Sequence, residues 1–175
     1  MKHPALLALL ATLINTASAG DGQWQTLTYS TNVPGINSNP LRGFFPYEGS
    51  YSNFPHSMEY FYLPLRSLVT GPGNYDWNAL EQHLGNIARR GHQAVLRIQL
   101  DTPGEQTGIP QYLLDGGLKT WSYNNYDNNG KSLLPDWNDP KLVQALTSFI
   151  SAFGARYDGD ARIGFITAGL YGFWG

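Results

Sequence analysis

Ala94-Val-Leu-Arg-Ile-Gln-Leu100 has the two-residue period of a β-strand. Ala94, Leu96, Ile98 and Leu100 face one way, while Val95, Arg97 and Gln99 face the other. Working outward, Asp76 is placed to cap a helix running to about Arg90. Trp77, Leu80, Leu84, Ile87 and Ala88 share one face of it. Arg89 and Arg90 suit the helix C-terminus, and Gly91 suits the residue just past it. On the other side, Asp139-Pro140 is an N-cap followed by proline at the first helical position. A helix from Lys141 to about Tyr157 follows, with Leu142, Leu146, Phe149 and Phe153 in a stripe flanked by Val143, Ile150 and Tyr157. Asp158-Gly-Asp160 turns the chain into a strand over Ile163–Ala168.

Two further strands are expected upstream. Leu41–Phe45 lies between Pro40 and Pro46, and Tyr60–Arg66 is weakened by Pro64, which has no N–H for a ladder. Tyr47 to Ser57 reads as a loop, and Gly71-Pro-Gly-Asn74 as a turn. Strands alternating with one-faced helices imply a parallel sheet with right-handed crossovers. Four such strands make about half of a (β/α)8 TIM barrel, whose full length is about 250 residues. The expected fold is thus α/β, a partial barrel of about four strands, with a long aromatic-rich insertion after strand three. A doubly wound open sheet is the second choice, but no G-x-G-x-x-G follows any strand. The insertion, 101–139, carries Tyr112, Trp121, Tyr123, Tyr126 and Trp137, which argue against disorder.

The N-terminus has a different character. Lys2 and His3 precede the apolar run Ala5–Ile14 and the A-x-A signature Ala17-Ser18-Ala19, as in a secretory signal peptide over 1–19. The run is too short for a membrane span, which needs roughly 18 to 20 apolar residues. Residues 20–38 read as a turn-rich lead-in, with an edge strand at Gln25–Tyr29, and 39–175 as the barrel portion. The expected location is secreted, extracellular, with no membrane contact after cleavage. The chain has 11 basic and 13 acidic residues, so loss of Lys2 leaves a net charge of −3. That offers no basic face for nucleic acid. With no cysteine, thiol chemistry is excluded, and stability must come from a hydrophobic core. His3, His56, His83 and His92 show no H-x-x-x-H spacing, so neither a metal site nor any cofactor is expected. Five tryptophans and eleven tyrosines suit either core filling or sugar stacking.

In parallel α/β barrels the site lies at the C-terminal ends of the strands. That rule selects Tyr47 and Glu48 after strand one, Arg66 after strand two, Arg97 and Asp101 on strand three, and Tyr171 and Trp174 after strand four. Gln99, Thr102 and Phe173 share these positions. Inside a barrel Arg97 needs a partner. It would either orient a catalytic carboxylate or form a structural ion pair with Asp101 or Glu48. Glycoside hydrolysis needs two carboxyl groups about 5 to 9.5 Å apart. Glu48, Glu59, Asp101 and Glu105 are candidates by type, though Glu105 sits in a glycine-rich loop as a solvated charge.

Five segments carry a resemblance: Asn39-Pro-Leu-Arg-Gly-Phe-Phe-Pro46, Gly73-Asn-Tyr-Asp-Trp77, Arg89-Arg-Gly-His-Gln-Ala-Val-Leu-Arg-Ile98, Arg156-Tyr-Asp-Gly-Asp-Ala-Arg-Ile-Gly-Phe-Ile166 and Gly169-Leu-Tyr-Gly-Phe-Trp-Gly175. In this order they resemble the N-terminal half of secreted, uncharacterised proteins with a glycoside-hydrolase-like TIM barrel, similar to β-galactosidase-type clan A enzymes. The resemblance implies an acid/base glutamate after strand four and a nucleophile after strand seven. Relatives continue G-F-W-G with Glu-Trp-His, and many have Glu-Pro where this chain has Val69-Thr70. Both catalytic carboxylates are therefore expected beyond Gly175, with the C-terminal half of the barrel. The resemblance implies no catalytic residue among these 175 and no hydrolase activity for this chain alone. The implied partner is an oligo- or polysaccharide. Two alternatives stand beside it. One is a non-catalytic polysaccharide- or cell-wall-binding protein stacking sugars on Tyr47, Tyr51, Trp121, Tyr123 and Trp174. The other is a gene-model fragment with no independent function.

Overall fold

A computed structural model of the chain describes residues 41, 43–50, 53–172 and 174. In chain order the elements are β1 (Met58–Pro64), a 3-10 turn (Leu65–Ser67), β2 (Val69–Gly71), β3 (Asn74–Tyr75), α1 (Asn78–Arg89), β4 (Gln93–Gln99), α2 (Gln111–Asp115), β5 (Thr120–Ser122), β6 (Leu133–Pro135), α3 (Pro140–Tyr157) and β7 (Ile163–Thr167). The expected leader over 1–19, the lead-in with its Gln25–Tyr29 strand, and Tyr51 and Phe173 lie outside the described residues.

β1, β4 and β7 form one parallel sheet in the order β1-β4-β7. Met58 pairs with Gln93 and Pro64 with Gln99, while Ala94 pairs with Ile163 and Arg97 with Thr167. Alternation assigns the two faces. Phe61, Leu63, Ala94, Leu96 and Ile98 join one core with Leu80, Leu84 and Ile87 of α1 and Leu142, Phe149, Phe153 and Tyr157 of α3. Each leucine fully buried there contributes about 1.5–3 kcal/mol. Both long helices thus cover the same face. Met58, Tyr60 and Val95 form a separate cluster on the opposite face, with Tyr62 packed against them. The architecture is mixed α/β with a three-stranded parallel sheet flanked by helices. The sheet is open, with β1 and β7 at its edges.

Several boundaries depart from expectation. Of the four anticipated parallel strands, three form among the described residues. At Leu41 and Gly43 the backbone is left-handed, with φ of 61° and 96°, which interrupts extended chain. Only a parallel bridge of Tyr47 to Tyr60 remains of the first strand, closed by Tyr60 N–H to Pro46 O and Glu48 N–H to Tyr60 O. β1 starts two residues earlier than expected and stops at Pro64, where the missing N–H comes at the strand end. The Gly71–Asn74 turn joins a small antiparallel pair, β2 and β3, with Gly73 at φ 68°. In α3 the stripe is narrower than expected. Val143 and Ile150 are exposed, and Ile150 lines an apolar groove of about 560 Å³ beside Ile166 of β7.

The long insertion is ordered. It holds α2 and the β5–β6 hairpin, and it is fastened by Asn128, which is fully buried. Asn128 donates to Tyr123 O (2.7 Å) and Ser132 O (3.1 Å), and accepts from Gly104 N–H and Ser132 N–H. One side chain thereby bonds four backbone groups of the insertion.

Candidate functional site

Arg97 is the centre of the helix-free face. Its position on β4 points it away from the packed helices, and β7 brings Thr167 alongside. Nε donates to Thr167 Oγ1 at 3.2 Å and Nη1 to Trp174 O at 2.8 Å. The guanidinium also lies 5.9 Å from the Tyr62 ring centroid, within cation–π range. No carboxylate bonds Arg97 among the described residues, so the expected ion pair with Asp101 or Glu48 is not formed. Gly169 permits this arrangement: a Cβ there would sit 2.4 Å from both Arg97 Cγ and Ile98 O.

Three tyrosines extend the same face. The Tyr47 ring lies 6.0 Å from Tyr60 and 5.9 Å from Tyr62, and Tyr60 meets Tyr62 edge-on at 4.7 Å. Tyr60 OH approaches Thr167 Oγ1 at 3.4 Å. The Tyr62 phenol is pushed above its ordinary range, first by hydrogen bonding with Tyr47, then by burial and by Tyr60. It is a neutral hydroxyl at physiological pH, able to donate and accept.

Asp101 stands just past the C-terminal end of β4 and is fully buried. Oδ1 accepts from Tyr123 OH (2.6 Å) and Ser132 Oγ (2.5 Å), both from the insertion. Oδ2 has no hydrogen-bond partner among the described residues. Burial and the Asp101 carboxylate together push the Tyr123 phenol well up. The Asp101 carbonyl accepts from Trp174 N–H at 3.0 Å, so Asp101 and Arg97 both hold the backbone of Trp174. Trp174 itself has a left-handed backbone, φ 59°, and is half exposed.

The other expected residues are placed elsewhere. Glu48 faces α1, where it bonds His83 Nδ1 and lies 3.6 Å from Arg90. The strand expected before it is reduced to the Tyr47–Tyr60 bridge, and the carboxylate joins the helix layer. Arg66 lies on the 3-10 turn and reaches Thr107 O at 3.5 Å. Tyr171 is 73% exposed and packs on Trp137, 4.6 Å between ring centroids. Of the seven expected residues, Tyr47, Arg97, Asp101 and Trp174 are linked through shared contacts, and Glu48, Arg66 and Tyr171 are not. Tyr60, Tyr62, Thr167 and Ser132 belong to the group without having been expected, and Tyr123 was expected only as a stacking ring, not as a partner of Asp101. For Tyr60 and Tyr62 the signal was present in the i, i+2 aromatic spacing of the strand. Ser132 had none, and nor did the pairing of Tyr123 with Asp101, because both arrive through the fold of the insertion.

Glu59 is the second buried carboxylate, at the N-terminal end of β1. Burial alone would raise its pKa, but hydrogen bonds from Arg90, Gly49 N–H and His92, with the Arg90 charge, bring it down to about 2. His56 and His92, scattered in sequence, meet beside it: one donor atom each of His56, Glu59 and His92 lies within 4.8 Å of the others. Comparison with protein-family models finds none that matches this chain, and comparison with curated proteins finds no match.

Proposed function

We propose that the helix-free face of the sheet is a saccharide-binding surface, and that the sheet represents consecutive strands of a glycoside-hydrolase-like (β/α) barrel in a secreted protein. The observation that carries this reading is the Arg97 cluster. A charged guanidinium with three phenols and a threonine hydroxyl lies on a face that alternation directs away from the helix core. Flat rings beside fixed polar donors suit a sugar, whose C–H faces stack while its hydroxyls exchange hydrogen bonds. The half-exposed Tyr47 and Trp174 flank the cluster. Parallel strands added in one direction, with both long helices on one side, are the repeat from which barrels are built. The leader-like Lys2–Ala19 segment and the absence of cysteine suit an exported chain that depends on its core.

Binding is favoured over hydrolysis by the placement of the carboxylates. Glu48 and Glu59 are committed to the helix side, and Asp101 Oδ1 is held by Tyr123 and Ser132. The two-carboxylate arrangement of glycosidases is not assembled around Arg97 among the described residues. Affinity electrophoresis in gels cast with soluble plant and microbial polysaccharides tests the reading. At least one polysaccharide should retard the protein, and Arg97→Met should weaken that retention about tenfold or more, as expected for a lost charge-assisted hydrogen bond. Absence of retention by every polysaccharide, or equal retention of the folded variant, rules the surface out.

A further inference from the structure

We propose that His56 and His92 form a binding site for a first-row divalent transition-metal ion of the zinc class, with Glu59 as the carboxylate behind them. The site lies at the N-terminal ends of β1 and β4, where Met58 pairs with Gln93, so it is separate from the Arg97 surface.

The tautomers follow from the hydrogen bonds. His92 Nδ1 lies 2.7 Å from Glu59 Oε1, and a carboxylate oxygen only accepts, so Nδ1 carries the proton. His56 Nδ1 lies 2.9 Å from Phe54 O, again a pure acceptor. With Nδ1 engaged in this way, Nε2 is the nitrogen each ring would offer to a metal ion. A ligating histidine usually donates its other N–H to a carboxylate or a backbone carbonyl, which fixes the ring and its tautomer. Here both versions occur on two rings whose centroids are 4.5 Å apart.

Glu59 is not available as a direct ligand. Oε1 accepts from Arg90 Nε and His92 Nδ1, and Oε2 from Arg90 Nη2 and Gly49 N–H, at 2.6–2.7 Å. Its role is to fix and polarise His92. Charge favours a cation here despite Arg90. The two carboxylates Glu48 and Glu59 face the single guanidinium of Arg90, a surplus of one negative charge between acids and arginine. A cavity of about 400 Å³, bordered by Ser50 and Gly91, leaves room for water or an external oxygen ligand to complete the shell. Imidazole nitrogens select zinc, copper or nickel over magnesium or calcium. Donors of a tetrahedral ion with bonds of about 2.0–2.1 Å lie about 3.3 Å apart, so loading draws His56 inward on the segment preceding β1.

Isothermal titration of the full chain with zinc chloride at neutral pH tests the site. One saturable equivalent is expected, weakened about tenfold or more in both His56→Ala and His92→Ala, with His83→Gln unchanged. His92→Ala also removes a partner of buried Glu59. His56→Ala is therefore the variant that keeps the test valid if the other fails to fold. Cobalt loading should give a visible absorption band that His56→Ala diminishes. Absence of saturable zinc binding, unchanged affinity in folded His56→Ala, or loss that follows His83→Gln alone overturns the proposal. Polysaccharide retention is a separate readout, so this site and the Arg97 surface can fail independently.

Discussion

At the scale of single residues, Gly169 and Asp101 hold the Arg97 surface together, and each is open to a direct test. A methyl at Gly169 would fall 2.4 Å from Ile98 O, a backbone atom fixed in β4, so β7 would have to shift. Gly169→Ala should destabilise the protein by about 1–3 kcal/mol, the usual range for overpacking. It should also reduce saccharide retention, because the same methyl displaces Arg97. A thermal melt alongside affinity electrophoresis checks both effects. Asp101 Oδ1 is the acceptor for Tyr123 and Ser132 while Oδ2 has no partner among the described residues, so substitutions of Asp101 by Asn and by Ala should differ. Asp101→Asn keeps the acceptor and should cost less than about 1 kcal/mol. Asp101→Ala strands two hydroxyl donors and should cost about 1–3 kcal/mol in chemical unfolding. Equal losses for the two would mean that those hydrogen bonds are not what holds the insertion. Arg97 and Asp101 were legible from their place on a strand and at its end. Their partners were not, since Thr167 and Ser132 are 70 and 31 residues away.

At the scale of elements, local chemistry set the helices well. Asp139 accepts Lys141 N–H at 2.8 Å with Pro140 at the first position, as its sequence signature indicated. Asp139→Ala should therefore cost about 0.5–2 kcal/mol. Gly154 offers a contrast with Gly169: it sits within α3 with nothing near a prospective Cβ. Gly154→Ala should raise stability by about 0.5–1 kcal/mol, measured by denaturant midpoint. In α1 the expected cap shifts by one residue. Asp76 accepts Asn78 N–H at 2.9 Å, but Trp77 is the residue bordering the helix. Arg90, read as a complement to the helix dipole, is bound to Glu59 instead. Strand limits were harder to read. Leu41–Phe45 has the right composition, yet two left-handed residues break its extension.

At the scale of the molecule, ion pairs tie the helix layer to the last strand. Arg162, just before β7, bonds Asp160 and reaches Glu81 of α1 at 2.8 Å, and Tyr157 of α3 donates to the same Glu81 carboxylate. Hydrogen bonding by Arg162, opposed by burial, holds both carboxyl groups below their ordinary values of 4.5 and 3.8. Depressed folded-state values mean that this stabilisation is complete above the unfolded carboxylate range. It is lost as pH falls through the lower folded values. The melting temperature should hold steady from neutral pH to about 5 and drop below about 4. Arg162→Met should flatten part of that drop, and an identical acid profile would exclude the network as a cause. Sequence alone determined the strand–helix alternation, the helix faces and the division of β4 into two sides. These depend on spacing along one segment, where a period of 2.0 or 3.6 is enough. Tertiary structure decided the rest: three paired strands instead of four, Glu48 turned to the helices, and His56 brought to His92. Each depends on which distant segments share a sheet edge or helix face, and local periodicity carries no information about that choice.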